Sequence, residues 1–428
     1  MAKINPFKPN SPISSGMFVG RLEELDKLET HLLQTRAGSP SNFMITGERG
    51  IGKSSLLNFV KAVAEGDIPI GDLSEAETVR FLVIDTDIDQ STTQLGLLKK
   101  IELGLRMELA KNEPTRKFFA DAWGFLKRVE AAGIKLRDET ALQQNETVIE
   151  EFSYSLADTA CRICSADEDS IFKIHYDGIL ILIDEADNGS KELGLGSFLK
   201  LLLERLQRRN CNVVMVGLAG LPHLHDVLMS SHESSLRLFE EIILSRLSDN
   251  EVDTVIDMCL TKANRENKTE YKIEKDARGL LRHLSEGYPH FIQQFGFSAF
   301  AHDTDKIIDI VDVEEGAFSP RGALDVIGDR YYRNDFYNKI QQESYRQVLR
   351  IMSNNLDGWV SKRDIRKKFK GNDSTLDNAI RALRERHIIL SKEGEKGVYR
   401  LQHKGFAYWI KLKTSKHEEL QTLFHLED

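Results

Sequence analysis

Four short apolar runs divide the first half of the chain: SNFMITG (Ser41–Gly47), TVRFLVIDTDI (Thr78–Ile88), GILILIDEAD (Gly178–Asp187) and CNVVMVGLAGLPHL (Cys211–Leu224). The third is apolar without alternation from Ile179 to Ile183, as expected of a strand covered on both faces. Helical spacing fills the gaps. FVGRLEELDKLETHLLQT (Phe18–Thr35) predicts a helix starting near Arg21 or Leu22, and a second follows the glycine-rich GERGIGKS. A largely helical stretch runs from about Thr92 to Ser170, and LGSFLKLLLERLQRRN (Leu195–Asn210) is amphipathic. Within the helical stretch, Ala110–Glu146 is charged and irregular and is expected to be an exposed insertion. Strands alternating with helices predict a doubly wound, mostly parallel sheet.

From Ser248 the pattern turns all-helical. Ser248 with Glu251 three positions on predicts a capping box. Two helices flank EGYPH (Glu286–His290), and the acid- and turn-rich stretch Asp309–Val326 reads as a link. The last module predicts three helices, over Gln341–Asn355, Ser361–Phe369 and Asp373–Ile389, then a hairpin over Leu390–Gln402. The expected domains are 1–247, 248–318, a linker 319–340, 341–413 and a tail 414–428.

The 428 residues carry a net charge of −9, which argues against a uniform basic coat for nucleic acid. The charge is uneven. Residues 341–413 hold 17 Lys and Arg against 8 Asp and Glu, net +9, and the rest holds 41 against 59, net −18. A basic C-terminal module is joined to an acidic body. No apolar run reaches membrane-span length, and the polar, proline-containing start does not resemble a signal peptide. With four cysteines a cytoplasmic location is expected. Cys161 and Cys164 form a CxxC that lacks partner ligands for zinc, so both are expected as small residues on a helix.

GERGIGKS (Gly47–Ser54) has the spacing of a triphosphate-binding loop placed between a strand and a helix. Its glycines let backbone N–H groups of Gly47, Glu48, Arg49, Gly50, Ile51 and Gly52 face phosphate, and the helix from Lys53, Ser54 and Ser55 adds its N-terminal dipole. Lys53 is placed for the outer phosphates and Ser54 for Mg²⁺. Asp184 and Glu185 end the doubly buried strand. Asp184 is the expected metal holder, and Glu185 the expected polariser of the attacking water. Asp187 is expected at the surface or as a helix cap. The strand ending at Gly217–Gly220 brings no Asn, Thr or Ser to the phosphate side, which weakens any expectation of tightly coupled hydrolysis. Arg237 and Arg246 are candidates for a finger reaching a neighbouring subunit. Lys367, Lys368, Lys370, Arg381, Arg384 and Arg386 form the candidate DNA-contacting set.

In this order the motifs resemble the AAA+ ATPases of the origin-licensing initiator (Orc/Cdc-like) class and the neighbouring STAND switch ATPases. The resemblance covers about residues 5 to 410. It implies an α/β P-loop NTPase core, an all-α lid and a winged-helix domain. It implies that Phe18, Val19, Gly20 and Arg21 lie near adenine and ribose, and that Tyr288, Pro289 and His290 bring a lid element to the nucleotide. His290 stands where initiators often have Arg, which favours a STAND-like switch. STAND proteins usually add a repeat sensor, so here a sensor or effector is expected as a separate chain, or the protein as a homo-oligomer. The leading expectation is a slow ATPase switch using ATP/ADP and Mg²⁺, of a build also found in bacterial defence and mobile-element operons. A DNA-binding initiator or regulator and an ATP-stabilised scaffold are the alternatives. A helicase would need a second α/β half or a pore loop, and neither is evident.

Overall fold

The computed structural model describes residues 3–11, 18–71, 77–131, 139–165, 170–333, 336, 340, 342–355, 358–386, 388–392 and 394–414. The chain forms two compact units, Pro12–Ser245 and Met1–Ser11 with Arg246–Asp428.

The first unit runs α1 (Leu22–Arg36), β1 (Asn42–Gly47), α2 (Lys53–Ala64), β2 (Phe81–Asp87), α3 (Gln94–Leu109), α4 (Glu113–Trp123), α5 (Phe125–Ala131), α6 (Glu139–Cys164), β3 (Gly178–Asp184), α7 (Leu195–Arg208), β4 (Val214–Gly220), α8 (Leu224–Ser231) and β5 (Phe239–Leu244). The five strands form one parallel sheet in the order β2-β3-β4-β1-β5. β3 and β4 are buried along almost their whole length, which is why their sequences are continuous apolar runs. In β3, Ile179 pairs with Leu82 on one side and Val214 on the other, and Asp184 closes the run opposite Asp87. Gly217 is required by packing: a Cβ there would lie 2.3 Å from Cζ of Phe43. The strand β5 was not foreseen. It is the sheet edge, so Glu240 faces solvent between buried Phe239 and Ile242.

The expected exposed insertion is instead packed over its described part. Asn112 caps α4 reciprocally with Thr115, and Phe119 and Trp123, one turn apart, are 3% and 2% exposed. Trp123 meets Phe152 of α6 edge-on at 5.2 Å and donates its indole N–H to Thr159 at 3.2 Å. The part covering 132–138 lies outside the described residues. Cys161 and Cys164 sit in the last turn of α6, and burial pushes the Cys164 thiol up to about 12 and that of Cys211 to about 11.

The second unit runs α9 (Asp249–Asn267), β6 (Lys272–Ile273), α10 (Lys275–Ser285), α11 (Pro289–His302), β7 (Ile307–Ile308), α12 (Ile310–Phe318), α13 (Ala323–Ile327), α14 (Glu343–Ser353), β8 (Val360–Ser361), α15 (Lys362–Lys368), α16 (Asp373–Glu385), β9 (Ile389–Ser391), β10 (Val398–Leu401) and α17 (Lys404–Thr414). The Ser248–Glu251 capping box opens α9 as expected. The stretch read as a link is helical: Asp309 and Asp312 form a capping box for α12, and Val313, Ala317, Leu324 and Ile327 are buried. Residues 3–11 pack within this unit, where the ring of Phe7 fills the space a side chain at Gly296 would need. From α14 onward the helices accompany a three-stranded antiparallel sheet in the order β8-β10-β9. β8 and α17 complete what the sequence showed as three helices and a hairpin.

Candidate functional site

Strand order decides where chemistry can collect. Because β3, β4 and β1 are adjacent and parallel, the loops after their C-terminal ends share one rim of the sheet. That rim receives Gly47–Ser54, Asp184–Asp187 and Leu221–His223.

The loop after β1 is built by backbone the glycines alone adopt easily. Gly50 and Gly52 have φ of 80° and 103°, and a Cβ at Gly47 would lie 2.8 Å from Ile51. Arg49 and Ser54 are exposed; Glu48, Gly52, Lys53 and Ser55 are half-buried. The Lys53 ammonium donates to the carbonyls of Gly47 at 2.8 Å and Glu48 at 3.0 Å. Burial lowers its pKa, and the nearby carboxylates of Asp187 and then Asp184 oppose that shift. A half-desolvated cation held by two carbonyls gains by meeting an anion.

The Ser54 hydroxyl donates to Asp184 Oδ2 at 3.0 Å. A hydroxyl and a carboxylate in contact, one from the helix start and one from a strand end, are a hard-oxygen pair suited to Mg²⁺. The other Asp184 oxygen accepts the Glu185 N–H at 2.8 Å. Glu185 is exposed and left-handed at φ 51°, a conformation seldom adopted by a residue with a side chain and common at functional positions. Asn188 donates to Glu185 Oε2 at 3.1 Å and to the Ile88 carbonyl at 3.2 Å, so it orients the carboxylate. Sequence reasoning did not single out Asn188. Only its spacing, three positions after Glu185, carried a signal.

Asp187 overturns its expectation. Its side chain is 9% exposed, Oδ1 accepts the Leu221 N–H at 2.9 Å, and Oδ2 lies 3.6 Å from His223 Nε2. The reason is tertiary: it turns inward to the loop after β4, which no local pattern reveals.

Arg21 also has a defined place. It is left-handed at φ 61° and buried, and its guanidinium donates to the carbonyls of Ile51 at 2.7 Å and Ser245 at 3.0 Å. It thus braces the phosphate loop from behind. Phe18 packs on Phe59 of α2 with ring centroids 5.3 Å apart, and Val19 and Gly20 precede Arg21 half-buried.

Tyr288, Pro289 and His290 belong to the second unit. Tyr288 is fully buried, its hydroxyl accepts from Arg246 Nε at 3.1 Å, and its ring meets His403 edge-on at 4.8 Å. Burial, helped by Arg330, lowers the His290 pKa to about 4, so the imidazole is uncharged at neutral pH. Arg246 is committed within this unit: it also bonds Glu286 at 3.1 Å and lies 4.7 Å over the Tyr288 ring. Arg237 is exposed on the short turn Glu233–Leu238. Lys367, Lys368, Lys370, Arg381, Arg384 and Arg386 are all exposed. Acidic neighbours temper their field: Lys367 pairs with Asp364 at 2.8 Å, and Lys362 and Arg366 pair with Asp377 and Asp373 of α16.

Residues 17–216 match the family described as the AAA ATPase domain. No curated protein matches the chain. Among solved structures the chain is similar to the Walker-type ATPase PABY2304 of Pyrococcus abyssi, with 17% identity, TM-score 0.57, and coverage of 95% of this chain and 99% of that one. It is also similar to the ORC2 protein of Aeropyrum pernix in its ADPNP–ADP complexes, with 13% identity, TM-score 0.52, and coverage of 96% and 98%. At these identities the likeness concerns fold, and the fold is that of Orc-like AAA+ P-loop ATPases. Among the described residues, no helix is long and apolar enough to cross a membrane.

Proposed function

With residues 17–216 an AAA ATPase domain on an Orc-like fold, we propose that this chain is a Mg-ATP-binding, slowly hydrolysing molecular switch. The contact of Ser54 with Asp184 beside a half-desolvated Lys53 carries the reading. Lys53 exchanges the carbonyls of Gly47 and Glu48 for outer phosphate oxygens. The N–H groups of the loop and the start of α2 take the remaining negative charge. Mg²⁺, when bound by Ser54 and Asp184, supplies charge neutralisation between phosphate oxygens. Glu185, steadied by Asn188, orients a water for in-line attack and takes its proton. Arg21 keeps the loop in shape.

ATP binding and turnover of wild type, Lys53→Ala and Glu185→Gln test this. The expected result is loss of binding for the first variant, and retained binding without turnover for the second. A wild-type protein that binds no ATP overturns it.

The exposed cations on α16 and at the end of α15 support a second step, in which nucleotide state governs DNA engagement by residues 341–413. DNA affinity should then fall steeply with salt and drop on Arg381→Glu with Arg384→Glu. Affinity unchanged by that double reversal rules it out. ADP and a non-hydrolysable ATP analogue compared by mass photometry, with and without DNA, separate a self-assembling ATPase from a monomeric switch. The scaffold alternative predicts tight nucleotide binding, negligible turnover and no change in Glu185→Gln.

A further inference from the structure

We propose that the surface formed by α3, α4 and α5 is a docking site for residues 415–428 of a second copy of this chain. The proposal is independent of the nucleotide reading and concerns the part of the sequence expected to be an exposed insertion.

The surface supplies a hole and a shelf. A cavity of about 260 Å³ opens between the three helices. Its floor is apolar: Phe119, Trp123 and Leu126 are 3%, 2% and 4% exposed. The Trp123 indole N–H is committed to Thr159, so the ring offers the cavity only its apolar body. Beside the cavity, Leu103 and Met107 stand one turn apart on α3 at 46% and 65% exposure. Large apolar side chains exposed together next to an apolar hole mark a contact surface.

Charge selects the occupant. Glu102, Arg106, Arg116 and Lys127 also line the cavity. Arg106 is paired with Glu102 at 3.3 Å, whereas Arg116 donates Nε to the Ala110 carbonyl at 3.4 Å, a partner that leaves its charge in place. Residues 95–128 hold 8 Lys and Arg against 4 Asp and Glu, net +4, on a body that is otherwise acidic. An anionic partner with large apolar side chains fits such a surface. Nucleic acid would use the cations and leave the cavity and the shelf wet.

Residues 415–428, SKHEELQTLFHLED, lie outside the described residues, and their composition is the complement of this surface. They hold Glu418, Glu419, Glu427 and Asp428 against Lys416, net −3. Leu420, Leu423 and Phe424 recur at the spacing of one helix face. Phe424 is the largest side chain among them and the group for the cavity. The leucines are the groups for Leu103 and Met107.

The test is fluorescence anisotropy of a fluorescein-labelled peptide of residues 415–428 titrated with the full-length protein, together with sedimentation velocity of the protein alone. Saturable binding that weakens with salt is expected. Arg116→Glu with Lys127→Glu should weaken it about tenfold, the worth of reversing two exposed charges. Ala120→Leu, which narrows the cavity without touching charge, should weaken it as well, and a peptide carrying Phe424→Asp should not bind. The wild type should self-associate as its concentration rises, and Phe424→Asp in the full chain should stay monomeric. No saturable binding of the wild-type peptide, or equal affinity for the double reversal, overturns the proposal. Self-association unchanged by Phe424→Asp excludes a second copy as the occupant and overturns it too. So does a surface that takes duplex DNA and not the peptide.

Discussion

Ser54 and Asp184, 130 positions apart in sequence, meet at 3.0 Å through a single hydrogen bond from hydroxyl to carboxylate. Without a metal that bond satisfies both groups. Were Mg²⁺ to bind here, the Ser54 hydroxyl and the Asp184 carboxylate would be the protein oxygens that hold it. Nucleotide affinity of the wild type should therefore rise with Mg²⁺. In Asp184→Asn the dependence should fall by about tenfold, because a neutral amide holds the ion poorly. Titrations with Mg²⁺ and with EDTA give the ratio directly.

Gly217 leaves room for Phe43 and for nothing more. Gly217→Ala should cost roughly 1–3 kcal/mol, because the added methyl forces a fully buried ring off its position. Denaturant unfolding measures the loss. Adding Phe43→Leu, which takes away the atoms the methyl would strike, should recover part of it.

Arg246 serves Tyr288, Glu286 and the ring face together, and Glu286 is only 4% exposed at its side chain. Arg246→Ala should destabilise the second unit by about 2–4 kcal/mol. That is less than the full cost of stripping a buried pair, since Arg246 itself is about a third exposed. Arg246→Lys should rescue little, because an ammonium cannot bond two acceptors in a fork while lying flat on a ring. A variant of unchanged melting temperature but lost turnover would instead assign Arg246 to catalysis between subunits.

Two histidines of the second unit stay neutral when folded. Burial takes His290 to about 4 and His403 to about 3, whereas in the unfolded chain both titrate near 6.5. Their folded pKa values are depressed, so the unfolded state binds protons first. The contribution to stability is whole above about pH 6.5 and is lost as pH falls toward about 4 and then 3. The melting temperature should drop between pH 7 and pH 5, and the drop should be smaller for His403→Phe. Equal slopes for the two proteins would show that His403 does not contribute.

The parts of this molecule that were legible in sequence are those whose signal is local. β1 to β4 are apolar runs, the phosphate loop is a spacing, and the α9 cap is two residues. What stayed hidden depends on distant partners. β5 is an edge strand whose Glu240 and Glu241 interrupt the apolar pattern. In α4, Glu113, Arg116 and Lys117 masked a buried Phe119 and Trp123. The stretch Asp309–Val326 looked like a link because of its acids and turn residues, although two of those acids cap a helix. Phe7 finds its place only because Gly296, almost three hundred positions later, has no side chain. Asp187 had a visible identity and an invisible direction.

The uninterrupted burial of β3 makes hydrophobic pattern a poor guide to its own alignment. A strand with one wet face is pinned by alternation, since a one-residue slip turns every side chain over. Ile179–Ile183 has no wet face, and a slip would exchange one aliphatic residue for another. The charges at its ends make the difference. Asp177 accepts the Arg80 N–H at 2.6 Å before the strand begins, and Asp184 meets Ser54 where it ends. A shift in either direction would drag one of these carboxylates into the sheet interior. Asp184 is thus also a stop that sets the strand's registration, and with it the place of Glu185.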